Sequence, residues 1–143
     1  MTPTLMGRWE TRLLLLGTIG LAVTLIFGRI LHDLMTPLAV LGYVLVIGFV
    51  WDILYGIVQS FRWDRDWPPV FQLAAGIVEG AFLWAVIVLA NAQFEGLPGV
   101  DPHLTFAMFF AHYVIVWVTT FLATQGLLRI IFPRWRFHGG KWL

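Results

Sequence analysis

The sequence predicts an all-α polytopic integral membrane protein, a four-helix transmembrane bundle in up-down-up-down order. Of its 143 residues, 59% are hydrophobic and 12% are charged, and the mean hydropathy is +0.83. Four apolar stretches reach the roughly 20 residues that a helix needs to cross ~30 Å of hydrocarbon. Lys and Arg are distributed unevenly between the two ends of these stretches. Together these observations exclude a soluble domain.

The predicted helices use nearly the whole chain, so residues 1–143 are expected to form a single transmembrane domain. The first stretch is apolar from Leu13 to Gly28 and has no small-x-small cleavage site, so we expect a retained helix and not a signal peptide. Proline and capping residues at Thr36-Pro37 and Pro68-Pro69 predict where the second and third helices begin. The expected ranges are about 11–33, 37–60, 69–92 and 104–131, with a C-terminal cytoplasmic tail at 132–143.

Basic residues predict that both termini are cytoplasmic. Eight Lys and Arg residues fall on one side of the predicted spans and Arg29 alone falls on the other. Tryptophans accompany the arginines on the same side, which predicts an interfacial belt that binds anionic lipid. The belt comprises Arg8, Trp9, Arg12, Arg62, Trp63, Arg65, Trp67, Arg129, Arg134, Trp135, Arg136, Lys141 and Trp142.

Ionisable residues inside the spans are the candidate functional residues, because an acid at a helix centre costs about 2.5–3.5 kcal/mol. Glu79 is expected near the bilayer centre, with Asp52 about 6 Å toward the cytoplasm and His112 about 7 Å toward the outside. Gln59, Thr119 or ordered water can bridge such a ladder if the polar faces share one interior. The sequence therefore predicts an ion or proton pathway through these residues.

Glycines beside the two acids predict helix-packing seams. Gly48 and Gly56 lie four residues either side of Asp52, and Gly76 and Gly80 form a G-x-x-x-G step next to Glu79. Glycine at this spacing lets another helix approach closely, either within the chain or from another protomer. Four helices enclose a water-filled path with difficulty, so conduction is expected from a homo-oligomer.

Two function classes remain open from the sequence. The first is a small membrane protein that conducts protons or cations, with Glu79 central, Asp52 as cytoplasmic relay and His112 as outward relay. The second is a non-catalytic accessory subunit that docks onto a larger membrane complex. In the structural alternative, Glu79 joins helices by a hydrogen bond and Asp52 pairs with Arg129.

Other chemistries have little support in the sequence. The formal net charge of +1 excludes a nucleic-acid-binding surface, and the absence of Cys excludes thiolate chemistry. No enzyme motif occurs, so an enzyme is not favoured. His32, His103 and His112 are the residues that would ligate haem or a metal, but their spacing matches no known ligand motif, and we expect no cofactor.

Overall fold

The computed structural model describes residues 3–134, 137 and 139–141, and in these it contains four helices long and apolar enough to span a membrane. This confirms the predicted all-helical class with four spans. We label the helices in chain order: α1 is Leu5–Leu31 with a π-helical turn at Leu16–Gly20, α2 is Met35–Ser60, α3 is Pro69–Gln93, α4 is Phe106–Gln125 and α5 is Leu127–Ile131.

The first helix begins at Leu5, earlier than the predicted start near residue 11. Thr4 has extended backbone geometry, and its hydroxyl accepts a hydrogen bond from the Gly7 N–H at 3.1 Å, which caps the helix. The sequence argument placed the boundary where charge begins. The structure extends the helix to include Arg8, whose guanidinium has a partner inside the bundle, Gln59.

The start of α2 depends on Asp33, not on the predicted cap Thr36. The Asp33 carboxylate accepts hydrogen bonds from the backbone N–H groups of Met35 and Thr36. Bonding to Thr36 holds the pKa of Asp33 below its usual range. The Thr36 hydroxyl has another role and accepts a hydrogen bond from the Asp101 N–H at 3.2 Å, which ties α2 to the loop before α4.

The fourth predicted span is interrupted. Thr105 caps α4 by accepting from the Met108 N–H at 3.3 Å, and the helix ends at Gln125. Gly126 has φ −108° and ψ −81°, which breaks the helix before α5. The predicted continuous helix over 104–131 is therefore two helices in sequence.

The helices pack as a ring in which each contacts its neighbours along the chain and α1 also contacts α4. The start of α1 lies beside the second half of α2: Arg8 donates to Gln59 at 2.7 Å, and the Trp9 indole N–H donates to the Phe49 carbonyl at 3.3 Å. We call this end of the bundle, which carries Arg8 and Arg65, the basic end. A buried apolar cluster lies in the interior toward the opposite end of the bundle. It contains Val40, Leu83, Ile87, Val100, Phe109 and Tyr113.

Part of the predicted lipid-binding belt cannot be placed. Trp135, Arg136 and Trp142 lie outside the described residues. Trp63, by contrast, is 97% exposed and Phe61 is 85% exposed. Both follow the end of α2, where an exposed aromatic side chain is suited to the membrane interface.

Candidate functional site

Arg12 of α1 joins two acids of the neighbouring helices, Asp52 of α2 and Glu79 of α3. Its guanidinium donates to both oxygens of Asp52, from Nε at 2.9 Å and from Nη2 at 3.0 Å. It also donates to both oxygens of Glu79, from Nη1 at 2.9 Å and from Nη2 at 3.1 Å. We call Asp52, Arg12 and Glu79 the ion triad. Two bidentate contacts fix the guanidinium plane between α2 and α3.

The triad lies well inside the spans. Arg12 is about 10 Å along the axis from the start of α1, and Glu79 is about 15 Å from the start of α3. The Asp52, Glu79 and Arg12 side chains are 5%, 11% and 16% exposed. With two carboxylates and one guanidinium, the triad has a formal charge of −1. A second guanidinium, that of Arg8, lines the same cavity, so the four charged side chains of the site have equal numbers of positive and negative groups.

Gly48 makes room for Arg12. A Cβ atom at this position would lie 2.2 Å from the Arg12 Nη1 atom and 2.6 Å from its Cζ atom. The glycine predicted to receive another helix therefore receives a side chain from α1. Gly56, the other glycine of the predicted seam, would have nothing within 4 Å of a Cβ atom.

Arg8 and Gln59 form a second polar layer, one helical turn nearer to the basic end. Arg8 donates from Nη2 to Gln59 Oε1 at 2.7 Å, and its guanidinium lies 4.6 Å from the centre of the Trp67 ring. Gln59 in turn donates to the Arg65 carbonyl at 2.7 Å. Gln59 therefore bonds to Arg8 and to the Arg65 carbonyl, and neither of these partners is an acid of the predicted pathway.

A cavity of about 190 Å³ connects this layer with the triad. It extends from Pro3 and Trp67 at the basic end to Glu79 and Val44 in the interior. Gln72, Thr120 and Thr124 contribute polar side chains to its wall. The wall also includes Gly7, Arg8, Thr11, Arg12 and Asp52. Most of the wall is apolar, but these polar side chains and this volume can accommodate water molecules between the basic end and the triad.

Aromatic rings of α4 occupy the second predicted glycine seam. A Cβ atom at Gly76 would lie 2.0 Å from the Trp117 Nε1 atom, and one at Gly80 would lie 2.6 Å from the Tyr113 ring. The Tyr113 hydroxyl donates to the Gly76 carbonyl at 2.7 Å. The seam therefore serves packing between α3 and α4, and Tyr113 closes the space beside Glu79 toward the apolar cluster.

His112 is not joined to the triad in the described residues. Its Nε2 atom lies 3.0 Å from the Thr24 hydroxyl, and its ring lies 5.2 Å from that of Phe27. These partners place it between α1 and α4. Thr119 bonds back to carbonyls of its own helix, those of Ile115 at 2.7 Å and Val116 at 3.0 Å, so it bridges no rungs of the predicted ladder.

The predicted pairing of Asp52 with Arg129 is wrong. Arg129 bonds to Gln125 one turn before it, while Asp52 takes Arg12 as its partner. Glu79 does join helices by hydrogen bonds, as the structural alternative has it, and its partner is Arg12 of α1, which donates to both of its oxygens. The signal that was missed is that Arg12 directly precedes the long apolar run, close enough to serve two buried acids that need a cation.

Metal-ligating groupings are absent from residues 3–134, 137 and 139–141, where no three His, Asp or Glu side chains are placed to hold an ion. His32 and His103, raised as ligands of haem or a metal together with His112, are not part of any such group. His112 is instead bonded to Thr24.

No family model matches the chain, and comparisons with the curated proteins and with the solved structures found no match either. The chemistry of the triad and its cavity is therefore the basis for assigning a function. That site places two buried carboxylates, Asp52 and Glu79, on one guanidinium, with the guanidinium of Arg8 lining the same cavity toward the basic end.

Proposed function

We propose that this chain is a small ion-handling membrane protein that conducts protons or small cations, with the ion triad as its binding site. The observation that carries the proposal is that Asp52 and Glu79 share one guanidinium deep in the bundle. One proton or cation added there would neutralise the formal charge of the triad itself, and the neighbouring carboxylates supply the oxygen atoms that would bind it.

The cavity supplies the route to the triad. Arg8 and Gln59 lie along the way from the basic end, and the volume accommodates several waters at about 30 Å³ each. Water chains of this kind carry protons between the surface and buried carboxylates. Glu79 is the central site in this proposal, Asp52 is its partner, and Arg12 holds the two carboxylates together.

Passage beyond the triad needs more than one chain in this proposal. The apolar cluster around Leu83, Ile87 and Phe109 fills the bundle on the far side of Glu79. A homo-oligomer offers a second route between protomers. The outward relay at His112 remains a prediction, and we propose that the basic end faces the cytoplasm with anionic lipid around its arginines.

A second candidate function is the accessory subunit of a larger membrane complex. The observation in its favour is that Arg12 satisfies all four carboxylate oxygens of the triad. Such an arrangement also serves to hold three helices together without any transport. In this alternative, replacing the acids changes assembly with partner proteins and nothing else.

Proton flux into liposomes tests the proposal. The purified protein is reconstituted with an internal pH-sensitive dye, and flux is driven by a potassium diffusion potential. Glu79→Gln removes the proton-binding carboxylate while keeping its shape, and we expect flux to be lost. Glu95→Gln makes the same chemical change in an exposed loop and is expected to retain the flux of the unsubstituted protein.

Two results would contradict the proposal. One is flux that survives Glu79→Gln, which would remove Glu79 from the pathway. The other is the absence of proton or cation flux from folded, unsubstituted protein. If the triad variants also lose co-purifying proteins, that second result supports the accessory-subunit alternative.

A further inference from the structure

The C-terminal tail is bonded to the start of α1. The Gly139 carbonyl accepts from the Thr4 N–H at 2.7 Å and from the Thr4 hydroxyl at 3.2 Å. One residue on, the Gly140 carbonyl accepts from the Thr11 hydroxyl at 2.9 Å. We call these contacts, together with Gly7 between them, the latch. They join parts of the chain more than 120 residues apart.

Glycine is needed on both sides of the latch. A Cβ atom at Gly7 would lie 2.1 Å from the Gly139 carbonyl oxygen, so any side chain there would displace the tail. Gly139 and Gly140 have φ values of +64° and +87°, a region that other residues rarely adopt. Three glycines and two hydroxyls thus fit a specific docked arrangement, not an incidental contact.

The helical segment held by the latch carries the cations of the site. Leu5–Leu15, which we call the arm, contains both Arg8 and Arg12, and its Gly7 and Thr11 also line the cavity. Movement of the arm away from the bundle would therefore widen the cavity and withdraw Arg12 from the two carboxylates.

The arm ends at a π-helical turn. This turn, Leu16–Gly20, interrupts the α-helical hydrogen bonding immediately after Leu15. Such turns are sites where helices bend, and a Cβ atom at Gly17 would have nothing within 4 Å, so the turn is not packed tightly there. The arm therefore has a fastening at one end and a place to bend at the other.

We propose that the arm is a gate: it bends at Leu16–Gly20, the latch holds it closed, and its opening withdraws Arg12 and exposes Asp52 and Glu79 to the basic end. This inference rests on the proposed function, since it concerns regulation of the same triad. Opening removes the guanidinium from between two neighbouring carboxylates, which is unfavourable while both are ionised. Proton uptake and opening consequently favour each other, as two linked equilibria must.

Thiol accessibility tests the gate without measuring flux. The chain contains no cysteine, so Thr120→Cys places a single thiol on the α4 wall of the cavity. A small, membrane-impermeant methanethiosulfonate is added to the full-length protein in lipid nanodiscs, and the labelling rate is measured. Gly7→Leu disrupts the latch and is expected to raise this rate about tenfold or more, as loss of at least one hydrogen bond predicts.

Matched variants make the result decisive. Gly42→Leu adds the same side chain where a Cβ atom meets nothing within 4 Å, and the labelling rate should not change. Thr11→Val removes a single latch hydrogen bond with little change in shape, and it covers the case in which Gly7→Leu fails to fold. Its expected increase is about fivefold.

Proton coupling is tested with the same thiol. Glu79→Gln mimics the protonated triad and should raise the labelling rate, whereas Glu95→Gln should not. Equal rates in Gly7→Leu, Thr11→Val and Gly42→Leu would overturn the latch. A rise with Gly7→Leu but none with Glu79→Gln would overturn the coupling. Neither result depends on whether the protein conducts protons, so failure of the gate and failure of the proposed function are distinguishable.

Discussion

Arg12 determines the chemistry of the bundle at the scale of single residues. Asp52 and Glu79 stand out in the sequence because acids are rare inside apolar spans, and the structure brings both to one place. Arg12 could not be identified in the same way, because an arginine near a helix end is equally suited to the membrane surface. Only the distances between side chains of α1, α2 and α3 show that Arg12 binds the carboxylates of Asp52 and Glu79.

Removal of Arg12 is expected to destabilise the bundle strongly. Arg12→Met leaves two buried carboxylates unpaired, and breaking a buried ion pair in this way costs about 3–5 kcal/mol. The measurement is reversible denaturant unfolding in detergent micelles. Adding Asp52→Asn and Glu79→Gln to this variant removes the uncompensated charges and should restore much of the loss. Unchanged stability in Arg12→Met alone would show that the triad is not the principal contact among these helices.

Asp33 gives the protein a pH-dependent element at the start of α2. Its folded-state pKa is lowered by bonding to Thr36, so its stabilisation is present above the unfolded pKa of about 4 and is lost as pH falls through the lower, folded value. We expect Asp33→Ala to lose about 1 kcal/mol at neutral pH, as for other capping residues. Thermal unfolding at pH 7 and at strongly acidic pH measures this, and an equal difference at both would contradict the role of the carboxylate.

Glycine governs packing at the scale of the helices, but in a different way from the one the sequence predicts. The spacing of the glycines correctly indicates that α2 and α3 each have a face lined by small residues, because residues four apart lie on the same side of a helix. Spacing does not indicate what fills these faces, since a helix backbone and a bulky side chain both need the same space. The guanidinium of Arg12 fills the space at Gly48, and the rings of Trp117 and Tyr113 fill that at Gly76 and Gly80.

Substitution of these glycines should follow the contacts. Gly76→Ala introduces a Cβ atom 2.0 Å from the Trp117 ring nitrogen, and forcing a bulky ring to move costs about 1–3 kcal/mol. Gly42→Ala, with nothing within 4 Å, should leave stability unchanged or raise it by up to about 1 kcal/mol through helix propensity. Unfolding in detergent compares the two. Equal effects at both positions would contradict the packing of Trp117 on Gly76.

Asymmetry along the bundle axis is the main property of the whole molecule. Polar layers and a cavity occupy the interior from the basic end to Glu79, whereas the remainder contains an apolar cluster and the buried His112–Thr24 pair. Hydropathy predicts the four spans and their approximate limits because membrane-crossing length and apolar composition are properties of the sequence itself. Hydropathy does not predict which part of the interior is polar and which is apolar, because that depends on which helix faces meet. His112, for example, pairs with Thr24 and not with the acids.

The central claim is that the ion triad takes up a proton, and infrared difference spectroscopy of the full-length protein in lipid tests it most directly. Spectra recorded as the pH is lowered should show the carbonyl-stretch band of a protonated, buried carboxyl group. The band should persist in Glu95→Gln and disappear when Asp52→Asn and Glu79→Gln are combined. A band that remains in the double variant, or none in the unsubstituted protein at any pH at which it stays folded, would contradict proton uptake by the triad.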